Sequence, residues 1–139
     1  MTSTTTAAHA LFAVIDGQRW ADYETVMTED VVMTSPFGVL NGPDEWRGFS
    51  QGFARSVPDG RHTILRVVQD GSTIAVDGSW EGTNTGPLMS PDGELPPSGA
   101  PVTLRFAAVG VLREGRFATV DVYLDQVSFL AQVGLMPTP

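Results

Sequence analysis

The chain has 139 residues, 42% of them hydrophobic and 17% charged, with a formal net charge of −8 and neither cysteine nor lysine. That length suits one domain with one core. The missing residue types exclude disulfides, thiolate chemistry, thiolate zinc sites and Schiff bases, and eight arginines against sixteen acids give nucleic acid or an anionic membrane no basic footprint.

Taken in chain order, residues 5–16 place Ala8, Leu11, Phe12 and Ile15 at helical spacing, with Gly17 as a stop. The start lacks the basic region and apolar run of a secretory signal, and no apolar stretch reaches the length of a membrane span, so a cytoplasmic protein is expected. Residues 19–30 read as a second short helix with Trp20, Tyr23 and Met27 on one side, followed by a brief strand ending at Pro36. Residues 42–56 read as a third helix. Pro43 fits its first turn, Asp44 and Glu45 suit its positive end, and Trp46, Phe49 and Phe53 form an aromatic stripe.

The second half is strands. Residues 61–69 run into the Asp70-Gly71 turn signal, and 73–86 follow. Residues 87–101 are rich in proline and glycine and read as a loop, either a lid or a plain connection. Strands 102–112 and 116–124 meet at a tight turn through Glu114-Gly115, and 126–134 read as a last helix stopped by Gly134 and Pro137. Helices followed by an antiparallel meander predict an α+β fold, in which a curved sheet under three helices makes a cone with a pocket.

Five stretches resemble the SnoaL-like polyketide cyclase family of the nuclear transport factor 2-like superfamily. They are "GTNTG" from Gly82 to Gly86, Pro97 to Gly99, Glu114 to Phe117, "YLDQ" from Tyr123 to Gln126, and "QVG" from Gln132 to Gly134. The resemblance spans roughly residues 5–136, with the closing motif its most specific part. It implies a cone-shaped α+β barrel, a homodimer built through the outer sheet face, a deep pocket and no cofactor. Members include polyketide cyclases using aldol chemistry, epoxide hydrolases, isomerases and non-catalytic proteins, so the fold is better determined than the reaction. The chain departs from the family pattern at Asn84, where members often carry histidine. It departs again in the last strand, where Val120 and Asp121 stand in place of histidine.

Asp121 is the expected general base, with Asn84, Tyr123 or Arg105 holding the developing oxyanion. A carboxylate inside an apolar strand is costly unless used or solvated. Strand alternation puts Ala118, Val120, Val122 and Leu124 on one face and Phe117, Thr119, Asp121, Tyr123 and Asp125 on the other. The mixed set suits a pocket wall and equally suits a partly wet outer face. Arg105 could pair with Asp121 or Asp77, an arrangement that resembles the Asp-Arg-Asp relay of the epoxide-hydrolase branch, or could form a surface ion pair. Asp125 should cap the last helix through Ser128 or its neighbour. His9 and His62 are too few and too separated for a metal cluster, and each reads as structural or exposed. Trp20, Tyr23, Phe37, Trp46, Trp80 and Tyr123 are the expected aromatic contacts for a hydrophobic, polycyclic or polyketide-like substrate; Phe49 and Phe53 read as core. The expected activity is a cofactor-independent, metal-free ring closure. Epoxide opening or hydrophobic-ligand binding without catalysis are the alternatives.

Overall fold

A computed structural model describes residues 4–90 and 93–135. Helix α1 (Thr4–Asp16) leads through a 3₁₀ turn (Trp20–Asp22) and the single-turn helix α2 (Tyr23–Val26) into strand β1 (Met27–Ser35). The hairpin strand β2 (Gly38–Asn41) precedes helix α3 (Gly42–Ser56). Strands β3 (Arg61–Asp70), β4 (Thr73–Thr83), β7 (Pro101–Arg113) and β8 (Arg116–Leu124) follow, with a small hairpin of β5 (Leu88–Ser90) and β6 (Gly93–Leu95) between β4 and β7. Helix α4 (Gln126–Gln132) comes last.

The main sheet runs β2-β1-β8-β7-β4-β3. Every pair is antiparallel except β1 with β8, which is parallel and places Thr34 opposite Asp121. The sheet is therefore antiparallel-rich, as expected, with one parallel pair that the meander did not foresee. Register shifts between Ile64 and Arg66, between Met27 and Val32, and between Val111 and Leu112 mark bulges. Each adds local twist, and together they bend the strands into a trough. α1 packs over β3 and β4, α3 over β1 and β2, and α4 against β7.

β7 shows the inward–outward alternation most clearly. Val102, Leu104, Phe106 and Ala108 are buried, while Thr103, Arg105, Ala107 and Val109 are exposed. Its turn into β8 has positive φ at both Glu114 (54°) and Gly115 (81°), the backbone of a tight primed hairpin. The core stripe of α1 is Ala7, Ala8, Leu11 and Val14, packed with Tyr23, Met27, Val31 and Met33. α3 begins as expected. Pro43 lies in its first turn, and Glu45 reaches back to accept the Asn41 backbone N–H at 3.0 Å. Asp125 caps α4 by accepting the Ser128 N–H at 3.0 Å.

Two expectations about elements are corrected. The segment 19–30 is helical only through Val26, because Met27 already pairs with Phe117 of β8. The loop 87–101 contains the β5–β6 ladder, and Arg55 of α3 pairs with Glu94 of β6. Pro137 lies outside the described residues.

Asn84 ties this loop down. It is fully buried. Its amide nitrogen donates to the Ser56 and Gly86 carbonyls, both at 3.0 Å. Its side-chain oxygen accepts the Ser98 N–H at 2.9 Å and the Ser98 hydroxyl at 2.8 Å. Two donors and two acceptor sites are all a carboxamide has, so the group is saturated. Gly86 completes the knot, since a Cβ there would stand 1.7 Å from the Arg55 carbonyl oxygen. Asn84→Ala would strand these buried partners, and chemical denaturation should show a loss of about 3 kcal/mol.

Candidate functional site

Between the trough and the helices lies a cavity of about 170 Å³. α1 contributes Leu11, Phe12, Ile15 and Asp16; α3 contributes Trp46, Phe49, Ser50 and Phe53. The sheet floor is Ile74, Val76, Trp80, Leu104, Phe106, Val120, Val122 and Leu124, thinned at Ala108 and Gly110. A methyl group on Gly110 would meet the Phe117 ring at 2.7 Å, so the missing side chain makes room for that ring. Phe37, Phe49, Phe53, Trp80 and Phe129 form a connected aromatic cluster with centroid separations of 5.0–6.3 Å. These are edge and tilted contacts of the kind aromatic rings prefer.

The polar groups in this wall are few. Asp16 ends α1, and its carboxylate accepts the His62 backbone N–H at 2.8 Å and lies 2.6 Å from the His62 ring Nδ1. A carboxylate can only accept, so Nδ1 carries the proton and Nε2 is the basic nitrogen of the neutral ring. Nε2 has no hydrogen-bond partner among the described residues. The imidazole is wedged by Phe12 at 4.8 Å, Phe106 at 5.5 Å and Trp80 at 6.4 Å, centroid to centroid. Gln18, Pro58 and Gly60 line the cavity near this pair, and the Gln18 amide reaches the Pro58 carbonyl at 3.4 Å. Among the described residues no group of three or more potential metal-ligating side chains stands together, and no helix is long and apolar enough to cross a membrane.

The residues expected at the site divide sharply. Phe37, Trp46 and Trp80 line the cavity, joined by Phe49 and Phe53, which the sequence assigns to core. Trp20 and Tyr23 do not line it. They pack against each other behind it at 6.0 Å, and Arg47 lies over the Tyr23 ring at 5.5 Å. Burial pushes the Tyr23 phenol above its ordinary range, against weaker downward pulls from Ser50 and Arg47. Asn84 is committed to the loop knot and has no hydrogen-bonding capacity left for an oxyanion.

Asp121, Arg105, Asp77 and Tyr123 lie on the outer face of the sheet, outside the cavity. The cavity face of β8 is the apolar set, opposite to the expectation that the mixed set walls the pocket. The bulge after Phe117 is the reason Phe117 and Val120 face inward together, where strict alternation separates them. Asp121 sits opposite Val109, four residues along β7 from Arg105, a spacing of about 13 Å. Asp77 is engaged by Arg66, whose Nε lies 3.0 and 3.1 Å from the two carboxylate oxygens. The Arg66 hydrogen bonds, helped by the charges of Arg66 and Arg105, hold the Asp77 carboxyl below its usual range. The three expected relay residues thus share a face but form no relay. His9 is exposed on α1.

The sequence singles out neither Asp16 nor Ser50, and it reads His62 as structural or exposed, where the structure places it on the cavity wall. One signal for the first was available. An aspartate as the last residue of a helix opposes the helix dipole and calls for a donor partner from elsewhere.

The model of the family described as SnoaL-like polyketide cyclase matches residues 5–133. The chain belongs to that family. Among solved structures it is similar to IdmH from Streptomyces antibioticus, a proposed polyketide cyclase, with a TM-score of 0.82 at 22% identity over 96% of this chain and 99% of that one. AclR from Streptomyces galilaeus, a proposed hydroxylase, gives 0.82 at 14% identity over 97% and 83%. A protein of ketosteroid isomerase-like fold from Catenulispora acidiphila, in complex with trimethylamine, gives 0.78 at 18% identity over 96% and 97%. At these identities the likeness establishes the shared fold. No curated protein matches the chain in sequence.

The cavity geometry can be tested at Gly60. A Cβ there would stand 2.9 Å from Trp80 Nε1 and Cζ2. Gly60→Ala should displace the indole, shift tryptophan emission, weaken binding of aromatic probes, and cost about 1–3 kcal/mol in denaturation.

Proposed function

We propose that this protein is a cofactor-independent polyketide cyclase in which His62, oriented by Asp16, is the general base. The observation that carries this reading is the Asp16–His62 pair in a largely apolar cavity. Family membership supports a small polyketide-like substrate. A dry cavity of about 150 Å³ admits one benzene ring, so the 170 Å³ here holds a ring and a larger polycycle extends through the mouth.

The chemistry follows from the donor set. His62 Nε2 takes the proton from a carbon flanked by carbonyls, and the Asp16 carboxylate stabilises the imidazolium that forms. The enolate carbon attacks a carbonyl carbon in the same molecule, forming the new C–C bond, while the carbonyl's π electrons pass to its oxygen. The imidazolium returns its proton to that alkoxide, so protons balance. The apolar walls hold the chain folded for attack and exclude water. With Asp121 and Arg105 on the outer face, the base role moves from Asp121 to His62, and the epoxide-opening alternative loses its Asp-Arg-Asp set.

In a turnover assay on aromatic poly-β-ketone esters, His62→Gln should lower kcat about a hundredfold or more, with Asp16→Asn also impaired. Asp121→Asn should stay within about twofold of wild type, and circular dichroism should show all three folded. Loss of turnover in Asp121→Asn with His62→Gln active would reverse the assignment.

The outer face supports a homodimer. Val109, Val111 and Tyr123 are exposed there at 37%, 38% and 61%. Arg105 closes no salt bridge among the described residues. A two-fold-related copy can offer Asp121 to Arg105 and receive the reverse, the self-complementarity an isologous interface needs. Light scattering should give twice the 14.8 kDa chain mass, and Val109→Lys should give the monomer.

A further inference from the structure

The hydroxyl of Tyr23 is buried and has no hydrogen-bond partner among the described residues. A buried, unpartnered hydroxyl is rare in a folded protein and carries a desolvation cost. The Ser50 hydroxyl is close enough to interact with it and to pull the phenol down against the effect of burial, but not in good hydrogen-bond geometry. Ser50 is 8% exposed and lines the cavity. Serines inside helices commonly bond back to the carbonyl four residues earlier. Ser56 of the same helix does so, donating to the Gly52 carbonyl at 3.1 Å. Ser50 makes no such bond among the described residues. The Ser50 hydroxyl on the cavity wall and the Tyr23 hydroxyl behind it therefore have only each other, in a wall that is otherwise carbon apart from Asp16, Gln18, His62, Ser35 and the indole nitrogens. Ser35 already accepts the Phe37 N–H at 3.1 Å.

We infer that Ser50 and Tyr23 form a polar recess that receives one oxygen, phenolic or ketonic, of the ring held in the cavity. Ser50 is the group that touches the ligand. Tyr23 is a positioning residue: its hydroxyl donates to Ser50 Oγ, which turns the serine proton toward the ligand oxygen. The substrate class narrows to an oxygenated aromatic ring whose reacting carbons lie away from α3, toward His62. This deepens the cyclase reading and rests on the cavity being the ligand site.

The test uses a matched pair of probes, 1-naphthol and naphthalene, binding followed by quenching of tryptophan emission. Wild type should prefer the naphthol. Ser50→Ala should reduce that preference about five- to tenfold, the size expected for one neutral hydrogen bond, with naphthalene affinity unchanged. Tyr23→Phe should reduce it by a smaller factor. Equal wild-type affinity for the two probes, or a preference that survives both substitutions, overturns the recess while leaving the cavity reading intact. Failure of wild type to bind either probe overturns the cavity as an aromatic-ligand site, and the recess with it.

Discussion

The inward face of the sheet is apolar and shielded, yet it is not filled. An unfilled apolar space forfeits the dispersion contacts that a closed core would gain, so the cavity must be held open by ties around it. Those ties are polar and sit at its margins. Asp16 joins the end of α1 to the start of β3 through His62. Asn84 joins the end of α3 to both ends of the 87–100 segment. Arg47 joins α3 to the 3₁₀ turn by donating to the Trp20 carbonyl at 2.7 Å, and it pairs with Glu24 and Asp44. Each tie spans elements far apart in sequence, and none uses space inside the cavity except the Asp16–His62 pair.

That exception is what gives the cavity chemistry. A charge is costly beside carbon walls unless it is hydrogen-bonded, and Asp16 meets the condition through the same residue it orients. One interaction therefore ties α1 to β3, sets the imidazole tautomer and leaves the second ring nitrogen open. The outer face follows a different logic. There Asp77, Arg66, Arg105 and Asp121 are intermixed with Val109, Val111 and Tyr123, a pattern suited to contact with another surface and not to enclosing a small molecule.

Much of the fold was legible because the signals are local. The stripe of α1, the proline and acids opening α3, the tight turn at Glu114-Gly115 and the Asp125 cap each rest on neighbours within a few residues. The parallel pairing of β1 with β8 was not legible, since alternation shows that a strand has two faces and does not name its neighbour. The same limit misplaced Asp121. Alternation separated it correctly from Val120 and Val122, but whether the mixed or the apolar set faced the ligand depended on the helices overhead. A single bulged residue at Ala118 then moved Phe117 to the other side. Asn84 looked chemical by type and motif, and only the four bonds to its amide reveal a knot. His62 looked ordinary because its partner lies 46 residues away.

The parallel pairing of β1 with β8 bears on how the chain is made. β1 lies between β2 and β8, so one of its edges stays open until residues 116–124 arrive. Contacts so distant in sequence are slow to form. On the ribosome, α1, α2 and β1 emerge early and wait through most of synthesis with Met27, Val31 and Met33 uncovered by their final neighbours. The acidic balance of the chain, sixteen carboxylates to eight arginines, keeps such nascent segments mutually repelling during that wait.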